Sequence, residues 1–429
     1  MKLFKQYKGL KREIYIFFIG KLVTAMGSFV WPMLTFFLTT KLGITDYLTS
    51  FIIASMSLLA LPAAILGGKL ADKYDRKKII VIFDLISVSL FIISAILPFG
   101  YHTAALLFTS GLFQTIEGPA YDALIADFSV TDDREKAYSL DYLGYNLGFI
   151  VGASVSGVLF ENYTKLAFLL NGIAILISTI LIIIFVNMKN TVVQEETNEI
   201  ANSIYEEPVD EKTSIFKILK ERKVLILVTL LMIFTWMPEN ISGILLPLKL
   251  KAAEGEAGAK LYGYLSSFNG LIVILFTPIF TYLLVKIKEI PKVALGSFLS
   301  ALGLVFYMLT NNAILLFVGM FFITVGEVTN VLGSNPYYSK RIPISHRGRI
   351  GGILSLAHGI FSAVIQYLIG VLLLVSSNDY SLIFFVFIII GVLVSVLCVF
   401  AHKKDKETFP LLYVKENVDK NWDKTIKIH

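Results

Sequence analysis

The chain has 429 residues, of which 56% are hydrophobic and 16% charged, and its mean hydropathy is +0.73. Water-soluble domains carry about 25% charged residues, so this composition excludes a soluble enzyme and indicates many membrane-spanning segments. The apolar stretches are continuous runs, such as Ile173 to Val186, whereas the strands of an outer-membrane barrel alternate at every second residue. The composition therefore predicts an all-α integral membrane protein.

Signatures of catalysis and metal binding are missing from the sequence. Cys398 is the only cysteine, so neither an internal disulfide nor a cysteine metal cluster can form. The P-loop pattern G-x-x-x-x-G-K-[ST], the zinc pattern H-E-x-x-H and the nucleophile pattern G-x-S-x-G do not occur. We therefore expect no enzymatic activity, no bound metal and no cofactor.

Twelve apolar segments are long enough to cross a bilayer, which takes about 20 residues for one helix. They predict twelve transmembrane helices, called spans 1 to 12 below. The segments lie at about 14–40, 48–68, 79–99, 103–126, 138–160, 166–187, 223–248, 261–285, 293–310, 313–337, 350–375 and 381–401.

The basic residues predict the orientation of these spans. Most of the 38 Lys and Arg lie on the segments that share a side with both termini, which the positive-inside rule places in the cytoplasm. Lys21 lies inside span 1. The remaining five lie on the opposite side: Lys41, Lys165, Lys249, Lys251 and Lys260. The net charge of +6 is thus an insertion signal and does not indicate nucleic acid; we expect a multi-pass protein of the cell (plasma or inner) membrane with both termini cytoplasmic.

A polar, acidic stretch divides the chain into two halves of six spans each. We predict an N-terminal half at 1–188, a cytoplasmic linker at 189–222, a C-terminal half at 223–402 and a cytoplasmic tail at 403–429. The turn TDDREKA at 131–137 lies 213 positions before the turn ISHRGRI at 344–350, so the halves repeat weakly. Two pseudo-symmetric halves are typical of secondary transporters, whose substrate binds between them.

The turn between spans 2 and 3 reads GKLADKYDRKK at 68–78. It resembles the G-x-L-A-D-R-x-G-R-R/K signature of the major facilitator superfamily, which implies the fold of that superfamily. We expect Gly68 to let two helices approach closely and Asp72 to bind a cation or a helix N-terminus. The predicted cytoplasmic gate consists of Gly68, Asp72, Arg76, Lys77, Asp127 and Arg134, with Asp127 paired to Arg76 or Arg134.

Two further patterns resemble those of proton-coupled drug antiporters in altered form. QTIEG at 114–118 stands where many of them carry R-x-x-Q-G, and GASVSG at 152–157 resembles G-P-x-x-G-G. The glycines at 144, 148 and 152 recur every four residues, which close helix packing alone explains.

Carboxylates inside spans are costly and therefore suggest function. Glu117, Glu239 and Glu327 lie within spans 4, 7 and 10, where they either line a cavity or pair with Lys21 or a buried amide. Carboxyls held away from water can exchange protons near neutral pH, and a cation can compete for the same group. Asp122 is turned by about 140° from Glu117 on a helix, so it should face a neighbouring helix.

Within that superfamily, three short segments resemble those of multidrug/proton antiporters of the LmrP kind. They are SLDY at 139–142, Glu239-Asn240 ahead of LP at 246–247, and GEV at 326–328. The resemblance implies roles in proton coupling and cation recognition for Asp141, Glu239 and Glu327. From their position near the cytoplasmic ends of spans, Asp84, Asp127 and Asp141 are instead expected in gate or interface pairs. The candidates for proton coupling or substrate binding are Glu117, Asp122, Asp141, Glu239 and Glu327, and those for the cavity wall are Gln114, Tyr121, Trp236 and Asn240.

The sequence predicts a secondary transporter that works by alternating access, most simply proton-coupled efflux of lipophilic or cationic compounds. Two alternatives use the same fold: proton symport that imports a peptide, sugar or other metabolite, and flipping of a lipid or glycolipid. We expect the proton gradient as the energy source, a small molecule, protons and the lipid bilayer as partners, no nucleic acid, and function as a monomer.

Overall fold

The computed structural model describes residues 7–188, 222–342, 346–410 and 412–413, without the side chains of 131–132 and 347–349. All regular structure in these ranges is helical. The predicted acidic linker lies outside them except for Arg222, as does the predicted tail beyond residue 413. The proposed domain boundaries therefore remain predictions.

The N-terminal half begins with a broken segment and continues with five long helices. Its helices are α1 (Arg12–Met26), α2 (Leu34–Phe36), which continues as a π-helical turn (Phe37–Lys41), α3 (Asp46–Lys73), α4 (Arg76–Ile96), α5 (Tyr101–Asp127), α6 (Thr131–Asn162) and α7 (Thr164–Phe185).

The C-terminal half repeats this order. Its helices are α8 (Lys223–Phe234), α9 (Met237–Glu254), α10 (Ala257–Leu283), α11 (Glu289–Leu309), α12 (Ala313–Arg341), α13 (Arg347–Val375) and α14 (Tyr380–Thr408). Within the described ranges, ten segments are long and apolar enough to cross a membrane, with α8 and α9 counted together. Helix α5 and the broken first segment stand outside these ten, so the number of twelve spans remains a prediction.

Spans 1 and 7 were expected to be continuous, and both are broken at corresponding places. The break between α1 and α2 contains Trp31 and Pro32, and the break between α8 and α9 contains Trp236 and is followed by Pro238. Proline lacks the N–H that a helix interior needs but fits the first turn of a helix. Interrupted helices in equivalent positions of two repeats mark the binding region of many transporters.

Small residues bring α1 and α6 together. A Cβ added at Gly148 would lie 2.3 Å from the carbonyl oxygen of Leu22, and one at Gly152 would lie 2.5 Å from that of Ala25. The glycines spaced by four residues therefore provide close helix packing, as expected from the sequence.

The two halves meet along the crossings of α3 with α13 and of α6 with α10. We call the end of the bundle that holds Arg12, Lys73 and Arg76 the terminal end, and the end that holds Lys41 and Asp46 the distal end. At the α6–α10 crossing, a Cβ at Gly157 would lie 2.5 Å from the carbonyl oxygen of Ala259. The backbones of the two halves thus touch near the distal end.

Ion pairs join the halves at the distal end. Lys41 lies 3.0 Å from Glu256, and Lys251 lies 3.1 Å from Asp46. The hydroxyl of Tyr380 donates to the second oxygen of Asp46 at 2.6 Å. These contacts run between residues of opposite halves, so they close the distal end.

The apolar cluster at the distal end includes residues of both halves, whereas each cluster at the terminal end belongs to one half. One cluster combines Phe36, Phe168, Leu246 and Tyr307, and so includes both halves. The other two lie in one half each: one contains Ile80 and Leu124, and the other contains Val293 and Ala401. The bundle is therefore joined at the distal end and divided at the terminal end.

A buried charge cluster strengthens the terminal end of the C-terminal half. The guanidinium of Arg341, 2% exposed, donates to Oδ1 of Asp405 at 3.0 Å and to Oδ2 at 2.6 Å. Glu289 and the hydroxyl of Tyr413 complete its surroundings. Burial raises the pKa of the Tyr413 phenol, so Tyr413 stays protonated and donates to Asp405 at 2.6 Å.

Candidate functional site

Two adjoining cavities lie between the halves. The C-side cavity, of about 410 Å³, is built mainly from α9, α10, α12 and α13, and the N-side cavity, of about 610 Å³, mainly from α1, α4, α5 and α7. Trp31, Phe149, Tyr262 and Ser266 line both. Because they share these wall residues, the two cavities adjoin at the boundary of the halves.

Glu239 and Glu327 both line the C-side cavity. Glu239 lies in the first turn of α9, where the positive end of the helix dipole stabilises a carboxylate. Glu327 accepts a hydrogen bond of 3.3 Å from the amide of Asn269. A buried amide was one of the partners considered for these acids. The two carboxyls therefore face one compartment from different helices.

A network of polar side chains connects α9 with α13 beside these acids. The side-chain oxygen of Asn240 accepts hydrogen bonds from Ser362 at 2.5 Å and from Gln366 at 2.9 Å. Gln366 in turn accepts from Ser57 of the N-terminal half at 2.7 Å. The predicted cavity residue Asn240 thus belongs to a chain of hydrogen bonds that reaches across the halves.

Some polar groups of the C-side cavity lack partners. Within the described residues, no hydrogen-bond partner is found for either side-chain amide atom of Asn330 or for the hydroxyl of Ser242. These residues are only 5% and 8% exposed. Gly296 makes room for Asn330, since a Cβ there would lie 2.3 Å from its side-chain oxygen. Leaving buried polar groups without partners costs free energy. A ligand that binds in the cavity could supply the missing partners.

Glu117 lines the N-side cavity from α5, next to Asp84 of α4. Asp84 was expected near the cytoplasmic end of span 3 in a gate or interface pair. It is instead 5% exposed, accepts a hydrogen bond of 2.6 Å from Thr179 and lines the same cavity. Two neighbouring carboxyls repel each other when both are ionised, so this pair favours a bound proton or cation.

Asp122 also lines the N-side cavity, so the expectation that it faces a neighbouring helix away from Glu117 was wrong. The cavity wall on α5 includes Gln114, Gly118 and Asp122, at steps of four residues, as well as Glu117 and Tyr121 beside them. This stripe is wide enough to hold residues 140° apart. The predicted cavity residues Gln114 and Tyr121 both lie on it.

Lys21 pairs with Asp141, at 3.9 Å, and lies over the ring of Tyr121. The pairing of Lys21 with one of the three glutamates, considered from the sequence, is not seen among the described contacts. Lys21 lines the N-side cavity, whereas Asp141 is not among the residues of its wall. The two charges neutralise each other at the edge of the cavity.

The predicted gate forms one ion pair at the terminal end. Arg76 lies 2.5 Å from Asp127, one of the two pairings considered. The side-chain nitrogens Nε and Nη2 of Arg134 have no hydrogen-bond partner within the described residues. Lys77 donates to the carbonyl oxygens of Ile183 and Val186. Asp72 is exposed.

The close helix approach expected at Gly68 occurs at its neighbour. A Cβ at Gly68 would meet no atom within 4 Å, whereas one at Gly67 would lie 2.1 Å from the carbonyl oxygen of Ile116. Adjacent residues on a helix point about 100° apart, so only one can face α5. Gly67 faces α5, and Gly68 does not.

The sequence reasoning missed several residues of the site. Trp31 was not among the predicted cavity residues, yet it lines both cavities. The repeated Trp and Pro at the breaks of spans 1 and 7 could have identified Trp31 together with the predicted Trp236. No local signal in the sequence indicated that the amides of Asn269, Asn330 and Gln366 line the C-side cavity together with that of Asn240.

Within the described ranges, no group of three or more His, Cys, Asp or Glu could hold a metal ion. The chemistry that the site offers is therefore that of carboxyls, amides and aromatic rings. Carboxyls bind protons and cations, and aromatic faces attract organic cations.

The fold and this central site are those of a membrane transporter. The sequence model of the Major Facilitator Superfamily matches residues 16–366, which is most of the chain. The chain belongs to the Major Facilitator Superfamily.

Two relatives with assigned activities are similar to parts of the chain. A Na(+), Li(+), K(+)/H(+) antiporter of Planococcus maritimus is 23% identical over 350 residues, which cover 77% of this chain and 82% of that protein. The quinolone resistance protein NorA of Staphylococcus aureus is 26% identical over 183 residues, which cover 42% of this chain and 46% of NorA.

Solved structures share the architecture. A variant of the peptide transporter POT in complex with alafosfalin has a TM-score of 0.76 at 15% identity and covers 94% of this chain and 96% of that one. The POT family transporter PepTSo has a TM-score of 0.72 at 14% identity, with 92% and 98% covered. At these identities the likeness shows the fold alone, and it is a major facilitator fold.

Proposed function

We propose that the protein exports lipophilic cations in exchange for protons. The observation that carries this proposal is that two glutamates, Glu239 and Glu327, line one cavity together with the aromatic side chains Trp31, Trp236 and Tyr262. A carboxylate binds either a proton or a cation, so the two compete for one site. Aromatic rings add apolar contact and cation–π attraction, worth about 0.5 to 2 kcal/mol for each ring.

The relatives support antiport over symport. Both the Planococcus maritimus antiporter and NorA have names that describe cation exchange or drug resistance. We therefore assign to this chain, as a proposal, the outward movement of a cation against inward movement of protons. No cofactor is needed, because the proton gradient supplies the energy.

The arrangement of the halves supports a direction for the cycle. With the terminal end in the cytoplasm, as the basic residues predict, the distal ion pairs close the outside and the cavity is reached from the inside. A cation then binds to deprotonated Glu239 and Glu327. After the halves rock, protons from outside neutralise these acids and release the cation.

A second candidate is exchange of an inorganic monovalent cation for protons. The name of the relative that covers 77% of this chain favours it, and so does the pair of neighbouring carboxyls, Asp84 and Glu117, that lines the N-side cavity. Carboxylate oxygens are suitable ligands for hard cations.

Flux into liposomes that contain the purified full chain tests both candidates. A pH gradient is imposed, and the movement of ethidium is followed together with internal pH, for the wild type, Glu327→Gln and the control Glu254→Gln, an exposed distal residue. We expect ethidium and protons to move in opposite directions, with flux lost in Glu327→Gln only.

Other results would change the assignment. Proton movement that depends on Na⁺ or K⁺ but not on ethidium would replace the organic cation with an inorganic one. Folded protein that moves no cation at all would contradict antiport and favour metabolite symport or lipid flipping.

A further inference from the structure

His358 and Trp236 form the wall between the C-side cavity and a third cavity. This third cavity, called the terminal cavity, has a volume of about 410 Å³ and is lined by residues of α8, α12 and α13 that include Ile233, Tyr338 and Leu354. His358 and Trp236 line both cavities. Their ring centroids are 4.9 Å apart and the rings are inclined to each other at 63°, so the two packed rings stand between the two spaces.

One nitrogen of His358 is buried without a partner. Its Nε2 atom has no hydrogen-bond partner among the described residues. Leaving a buried polar atom unpaired costs free energy, whereas a residue that only fills space could be apolar. Imidazole is the side chain that gains and loses a proton near neutral pH, so this nitrogen is suited to accept a proton from a neighbouring acid.

Acidic side chains line the C-side cavity, and no described Lys or Arg lines either of the two cavities beside His358. The titratable groups that face the C-side cavity are Glu239, Glu327 and Tyr262, and Tyr338 faces the terminal cavity. Among the described lining residues of these two cavities there is no Lys or Arg. An imidazolium here would therefore meet carboxylates on one side and no competing cation.

Resting on the proposed proton coupling, we propose that His358 carries protons between the acids of the C-side cavity and the terminal cavity. The transfer runs through a water molecule in the C-side cavity: the O–H bond of a protonated Glu239 or Glu327 breaks as the water takes up that proton, and the water gives one of its own protons to Nε2 of His358. The imidazolium then releases its Nδ1 proton to solvent in the terminal cavity, and proton exchange with solvent restores the starting tautomer. The carboxylate left behind is ready to bind a cation.

Two variants separate a relay from a packing role. His358→Gln cannot titrate and loses the ring, whereas His358→Phe cannot titrate but keeps a ring against Trp236. Each is compared with the wild type and with His102→Gln, which removes an exposed imidazole at the distal end. Liposomes containing the full chain are assayed for ethidium flux driven by a pH gradient and for ethidium counterflow at equal pH, which needs no net proton movement.

A relay predicts that, relative to its own counterflow, each His358 variant loses about tenfold or more of the gradient-driven flux, together with the dependence of that flux on internal pH. Normal driven flux in both variants would overturn the proposal. So would recovery in His358→Phe alone, since this indicates packing. A wild type that performs counterflow but no proton-driven flux would contradict the proposed function itself, which distinguishes the two failures.

Discussion

Asp46 and Lys251, which belong to opposite halves, form an ion pair of 3.1 Å that holds the distal end of the bundle together. Asp46 is 8% exposed and also accepts a hydrogen bond from Tyr380 at 2.6 Å. One carboxylate thus joins α3 to both α9 and α14. Since the proposed transport cycle requires the distal end to open, the strength of this contact helps to set the balance between the distal-closed and distal-open forms.

Replacement of Asp46 should shift this balance. Asp46→Asn removes the charge that Lys251 and Tyr380 share, which we expect to cost the distal-closed form about 1 to 2 kcal/mol, or about a tenfold change in population. Spin labels on Tyr163→Cys and Leu309→Cys, in a Cys398→Ser background, report the distance across the distal end. In Asp46→Asn, a longer distance between the two labels should be more populated than in the wild type.

The control for this experiment is Asp379→Asn. Asp379 also lies at the distal end, but its side chain accepts from Leu382 of the same half. Asp379→Asn should therefore give the same distribution of distances between the labels as the wild type. An unchanged distribution in Asp46→Asn would show that the ion pair does not hold the closed form.

Gly157 should be required for the distal end to close. A Cβ at this position would lie 2.5 Å from a backbone carbonyl of the other half, and a backbone atom cannot move aside as a flexible side chain can. Gly157→Ala should therefore favour the distal-open form in the same spin-label measurement and slow transport about tenfold. Gly352→Ala, on α13, where a Cβ also meets nothing within 4 Å, is the matched control and should transport normally.

The pair of Arg341 and Asp405 should stabilise the C-terminal half. Both side chains are almost fully buried, so Asp405→Asn leaves a guanidinium with Glu289 as its remaining acidic partner. Loss of one member of a buried pair costs about 3 to 5 kcal/mol. We expect the melting temperature of the protein in detergent to fall by several degrees, whereas Asp133→Asn, at a partly exposed pair with Lys136, should have little effect. Equal melting temperatures for the two variants would contradict the importance of the buried pair.

Trp31 should contribute to the binding of organic cations. It lines both cavities, so Trp31→Ala removes an aromatic face wherever the cation lies. Cation–π attraction of about 1 to 2 kcal/mol corresponds to about a tenfold weaker affinity, measured by the fluorescence polarisation of ethidium. Trp31→Phe should retain most of the affinity. A normal affinity in Trp31→Ala would exclude a role for this ring.

Much of the architecture could be predicted from the sequence. The positions of the long helices follow from hydropathy, because each span must satisfy its backbone and match the bilayer within its own segment. The motif at 68–78 indicated the family, and the carboxyls within spans indicated the candidate residues. Both are features of a single segment, so they can be recognised without knowing its neighbours. Glu239 and Glu327 could be proposed because a charge in a span is costly wherever its partners lie.

The site itself could not be assembled in this way. Asp84 and Asp122 join Glu117 at one cavity, and Gly67 instead of Gly68 makes the close approach, because these outcomes depend on how each helix is rotated against its neighbours. The distal contact of Asp46 with Lys251 joins residues from opposite halves of the chain. The sequence alone determined which segments are long and apolar and which of them carry carboxyls, since these are properties of single segments. Only the tertiary structure decided which side chains meet, since contacts between helices depend on packing that no local pattern records.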